Sequence, residues 1–160
     1  QQSRIVPVSD WWCRDHYLTA VDVSHQVKKG KAQECIAEKV QAVEMWKEAE
    51  KLAAGITLKN SRDTDFMRVS TTYGRIKYQV IEQLWRIQMM LAEEQINKKP
   101  LDENAARAAV EAYEKSYEEW RQLKRDNPSC PTLYVDHEAK HVGPPFQTVL
   151  QPLKKRLGMN

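Results

Sequence analysis

The sequence predicts an all-α protein: an up-down-up antiparallel helical bundle with one long central helix and an irregular C-terminal extension. Three observations lead there. Hydrophobic residues make up 41% of the 160 residues, charged residues 29%, and there are only five glycines, a balance that favours long helices over strands and turns. Apolar residues recur at steps of three and four over three successive stretches, which is the period of a helix face. One of those stretches, roughly 63 to 96, carries two adjoining apolar rows, and a helix with two such rows needs neighbours on two sides. A chain of this length buries about two-thirds of its unfolded surface, so one core suffices without disulfides or metal.

Residues 1–30 form the least regular part and are expected to pack on the bundle. They hold Pro7, the pair Trp11-Trp12 and Tyr17, then a possible short helix ending near Gly30. The Trp pair is too apolar to stand uncovered, so it marks either packing onto the bundle or an interface with another domain. The bundle core spans 31–127. Its first helix, 31 to 54, carries Ile36, Val40, Val43, Trp46, Ala49 and Ala53, and Gly55 suits a left-handed cap. The central helix starts behind Asp63 and Asp65, acids suited to a helix N-terminus. One of its rows is Phe66, Val69, Tyr73, Ile76, Val80, Leu84, Ile87 and Leu91; the other is Tyr78, Ile81, Trp85 and Met89. After the turn at Asn97–Pro100, Asp102 can cap a third core helix with the stripe Ala106, Val110, Tyr113, Tyr117 and Trp120, stopped by Asn127-Pro128. Short connections between long helices imply antiparallel neighbours. Residues 128–160 read as a Pro-rich loop and a short helix, with Phe146, Val149, Leu150, Leu153 and Leu157 on one side and Pro152 expected to kink it.

Charge narrows the partners. The net charge is +3, with cations interleaved among 22 carboxylates, so no strong field for nucleic acid is expected. No apolar run reaches the roughly 20 residues of a membrane span, and none reads as a secretory leader. Cys13, Cys35 and Cys130 make neither a disulfide framework nor a zinc spacing.

Candidate chemistry is sparse. His137-Glu138-Ala139-Lys140-His141 matches H-E-x-x-H, in which two histidines one helical turn apart hold zinc and the glutamate serves as base. The match lies between Pro131 and Gly143-Pro144-Pro145, and no His, Cys, Asp or Glu follows His141 to complete the ligand set. His137 and His141 are therefore weak metal candidates, and the segment reads better as a polar turn. Asp10, Asp15, His16 and His25 lack a nucleophile beside them. Trp46, Tyr73, Tyr78, Trp85, Tyr113, Tyr117 and Trp120 could stack on sugars, but at helical spacing they read as core, and Met89-Met90 as adaptable filler. Gly74 costs about 1 kcal/mol relative to Ala inside a helix, which points to the close approach of a neighbouring helix or of a partner in a groove. No catalytic residue and no cofactor emerge. The interaction surface expected from sequence comprises Trp11, Trp12 and Gly74.

Two stretches carry a family resemblance: Phe66 to Tyr78, FMRVSTTYGRIKY, and Tyr117 to Tyr134, YEEWRQLKRDNPSCPTLY. They resemble the helical region C-terminal to the barrel of large bacterial glycoside-hydrolase-like proteins. The resemblance implies a non-catalytic accessory module in an extracytoplasmic, carbohydrate-related setting, with a preceding domain of the same parent protein as its partner. No barrel is present here, so no catalytic residue carries over. The alternative is a free-standing protein-interaction bundle, and a third reading is a small zinc hydrolase using His137, Glu138 and His141.

Overall fold

The computed structural model describes residues 20–128 and 143–159. The described residues form five helices and no strand, an all-α fold: α1 Ala20–Lys28, α2 Ala32–Ala54, α3 Ser61–Asn97, α4 Glu103–Asp126 and α5 Gly143–Arg156. At 37 residues α3 is the longest, about 55 Å at 1.5 Å per residue. It packs against α1, α2 and α4, while α5 packs against α4. Contacts along α2 and α3 run in opposite order. Arg68 reaches Ala53, Gly74 lies under Trp46, and Met89 and Met90 share a hollow with Gln33.

The core is the buried surface of α3 and what covers it. Ile76, Val80, Ile81, Leu84, Trp85 and Ile87 are almost fully enclosed, with Val23 and Val27 from α1, Ile36 and Val43 from α2, Val110, Tyr113 and Trp120 from α4, Leu150 and Leu153 from α5, and Leu157 just after it. Both rows read from the sequence thus contribute buried side chains. Phe66 does not: it is 46% exposed, because the apolar period begins in the first turns of α3 before its neighbours reach it.

Two helix ends differ from the sequence expectation. Gly55 is right-handed, with φ −84°; the N–H groups of Gly55 and Ile56 donate to Leu52 O and Ala53 O, and the Arg68 guanidinium adds bonds to Ala53 O at 3.5 Å, Ala54 O at 3.4 Å and, beyond the helix, Ile56 O at 3.1 Å. A long side chain from the next helix thus supplements the backbone bonds at this end, which has no left-handed glycine. Helix α3 begins two residues earlier than Asp63, because Asn60 accepts from the Arg62 N–H at 3.0 Å and so caps it. Helix α5 runs through Pro152, which is exposed, and is not divided there. Asp102 caps α4 as expected, accepting from the Ala105 N–H at 2.9 Å, and Gly30 follows α1 in the left-handed region at φ 67°.

Candidate interaction surfaces

Gly74 is buried, and the neighbour its missing side chain admits is Trp46 of α2. A Cβ placed there would stand 2.5 Å from Trp46 Cδ2, inside the ring's van der Waals envelope. The indole therefore lies flat against the α3 backbone.

One residue on, Arg75 ties three helices together. Its Nε donates to Glu50 of α2 at 2.7 Å, its Nη2 to Glu119 of α4 at 2.7 Å, and its Nη1 to Gln79 at 2.7 Å. Thr72 completes the cluster, donating to Glu50 at 2.6 Å. The Arg75 side chain is only 15% exposed, so these bonds act in a partly dehydrated setting. Partial burial pushes the Glu50 carboxyl up, but the hydrogen bonds from Thr72 and Arg75, together with the Arg75 charge, outweigh it and leave the group below its ordinary value.

Beyond this clamp a groove of about 420 Å³ opens along α3 between α2 and α4. Gln79, Glu82, Gln83 and Arg86 form its floor, with Lys47 and Lys115 on the two walls. Its charges are largely neutralised within the chain: Lys47 pairs with Glu44 at 2.7 Å and Arg86 with Glu82 at 2.8 Å. The groove's lining holds no cysteine or histidine; its one hydroxyl is Ser116, beside Lys115, and the rest of its polar lining is carboxylates, amides and cations suited to hydrogen bonding. Among the described residues no group of three or more His, Cys, Asp or Glu is placed to hold a metal ion, and no helix is long and apolar enough to cross a membrane.

The aromatic residues are distributed through the packed interior. Trp85, Tyr113 and Trp120 are buried; Trp46, Tyr73, Tyr78 and Tyr117 are half-buried. Tyr113 stacks on Tyr117 with centroids 5.8 Å apart, and Trp120 meets both Tyr117 and Tyr73 edge-on at 5.8 and 6.2 Å. Burial pushes the Tyr113 hydroxyl well above its ordinary pKa, so it stays protonated. Cys35 is a buried free thiol raised to about 11, first by burial and then by Glu38. Met89 is buried beside half-buried Met90, and His25 lies exposed in the last turn of α1. Trp11, Trp12, Asp10, Asp15, His16, Cys13, Cys130, His137, Glu138 and His141 lie outside the described residues.

The clearest surface feature is one that sequence reading passes over. All the large apolar side chains left exposed among the described residues fall between 45 and 66: Met45, Leu52, Ile56, Leu58 and Phe66. Three of them, Ile56, Leu58 and Phe66, sit at the tip of the α2–α3 hairpin with 42, 41 and 46% exposure. The tip is braced. Thr64 Oγ1 accepts from the Leu58 N–H at 2.9 Å and donates to Asn60 O at 3.2 Å, while Arg68 holds Ile56 O. The available signal was Ile56 and Leu58 standing two apart in a polar loop, which a helix-period reading does not register.

No protein-family model, curated protein or solved structure matches this chain. The likeness to glycoside-hydrolase-like proteins therefore rests on the two quoted stretches alone.

Proposed function

We propose that this chain is a non-catalytic helical module that works by docking a protein partner through the tip of its α2–α3 hairpin. The observation that carries the reading is the exposure of Ile56, Leu58 and Phe66 at a tip whose backbone is hydrogen-bonded at Leu58 by Thr64 and at Ile56 by Arg68. An exposed apolar cluster lowers solubility, and a braced one retains little conformational entropy to lose when a partner covers it. The groove supports the same reading from the other side, since its charged groups are occupied with one another. The partner is either the preceding domain of a parent protein or a separate chain. The carbohydrate-related, extracytoplasmic setting belongs to this proposal only through the two sequence stretches.

The test is site-specific photocrosslinking in the native host. A photoreactive residue at position 58 is expected to give one discrete protein adduct, and the same residue at position 115 in the groove none. Adducts at 115 alone, or none at either position, overturn the proposal.

A further inference from the structure

The opposite end of the bundle has a different chemistry. The hollow lined by Gln33, Met89, Met90 and Ala105 sets the start of α2 level with the last turns of α3 and the first turn of α4. The end of α5 joins them: Arg107 donates to Leu157 O, and Arg156 donates through both Nη atoms to Glu94 at 2.7 Å. Three chain segments, 28–34, 93–107 and 153–159, therefore meet at one end. With Glu114, the partner of Lys154, they hold nine Lys and Arg against six Asp and Glu, an excess of three that equals the whole chain's net charge. The net charge of the protein is concentrated here.

The two arginines at this end are engaged within the fold, and so are Lys99 with Glu93 and Lys154 with Glu114. Lys28, Lys29, Lys31, Lys98 and Lys155 are exposed and have no carboxylate partner among the described residues. We infer that this end is an electrostatic docking face for an anionic lipid surface. Five lysines present compact, strongly hydrated charges that attract a diffuse negative layer without demanding a shaped or forked acceptor. No large apolar side chain is exposed among the described residues of this end, so attachment is peripheral and reversible, without insertion. Base stacking has no platform among them either, which favours lipid headgroups over single-stranded nucleic acid. The inference stands apart from the tip reading, since it uses the other end of the molecule.

The experiment is vesicle sedimentation with the full 160-residue chain. Binding is expected to vesicles containing about one-third phosphatidylserine at low salt, to fade as salt shortens the screening length, and to be absent with pure phosphatidylcholine. Replacing Lys28, Lys29 and Lys31 by Gln is expected to lower the partition coefficient about 100-fold, at roughly 1 kcal/mol per lysine. A control with the same charge change, Lys51→Gln, Lys59→Gln and Lys115→Gln, is expected to lower it less than tenfold, and circular dichroism verifies that both variants are folded. Equal losses in the two variants overturn the inference, as does failure of the wild-type chain to bind anionic vesicles. Tighter binding to duplex DNA than to the vesicles at matched salt also overturns it. None of these outcomes depends on crosslinking at position 58.

Discussion

Substituting Gly74 by Ala sets two known effects against each other at one atom. Alanine is favoured over glycine in a helix interior by about 1 kcal/mol, because glycine loses more backbone entropy on folding. Against that, the new Cβ would lie 2.5 Å from Trp46 Cδ2, more than 1 Å inside normal carbon–carbon contact. The atoms it meets belong to the rigid ring system, so relief requires turning the whole indole or separating α2 from α3. Overpacking of this kind costs about 1–3 kcal/mol. The contact wins, and Gly74→Ala is expected to destabilise the protein by about 1 kcal/mol, or 2–4 °C in Tm for a chain of this size. Trp46→Ala removes the opposing atoms. In that background the same Gly74→Ala change is expected to stabilise by about 1 kcal/mol, giving a coupling energy near 2 kcal/mol in a double-mutant cycle. Urea unfolding followed by circular dichroism measures all four chains. A Gly74→Ala effect of the same sign in both backgrounds would refute the assignment of Trp46 as the neighbour.

Three further outcomes are expected. Arg75→Met should lower stability at pH 7 by about 1–2 kcal/mol, less than for a fully buried pair because Glu50 and Glu119 are partly exposed. Because the folded Glu50 pKa lies below its unfolded value, its contribution is present above about 4.5 and is lost as pH falls through the folded value. The difference from wild type should therefore narrow between pH 5 and 3 in thermal melts, and a constant difference would mean that the ion pairs contribute nothing. With Cys13 and Cys130 replaced by Ser, the remaining Cys35 thiol, raised to about 11, should react with a disulfide reagent at pH 8 at least 100-fold more slowly in the folded chain than in urea; comparable rates would show that the site opens readily. Protein purified without chelator should contain less than about 0.1 zinc per chain by elemental analysis, and stoichiometric zinc lost on His141→Ala would revive the hydrolase reading of His137 and Glu138.

What the sequence made legible was what repeats locally. The long helix announced itself because its apolar period persists across most of Ser61–Asn97, and its second row pointed to burial on more than one side. Gly74 stood out because glycine is costly mid-helix, but Trp46 lies 28 positions earlier on another helix, and no local pattern names it. The same limit hid the Arg75 clamp: Glu50 and Glu119 are ordinary carboxylates on helix faces until folding brings them to one guanidinium. At Phe66 periodicity overran its physical cause, since a repeat continues to the end of a helix whether or not anything covers it. Gly55 is not a left-handed cap: the carbonyls at that end are met by the N–H groups of Gly55 and Ile56 and by Arg68 from the following helix, a partner that no local pattern names.

The length of α3 bears on how the molecule opens. Counting back seven residues from the Arg75–Glu119 pair sets Asp126, the last residue of α4, level with Arg68, and Arg68 is also where α2 ends. The first turns of α3 and the loop before them therefore overhang both neighbours. Backbone amides there should exchange with solvent at free energies well below global unfolding, while those around Trp85 exchange only with it. A ligand engaging the overhang would bind only the folded chain and so raise the melting temperature as well, but its added protection of slowly opening amides would be largest at the tip, a signature that locates its site there.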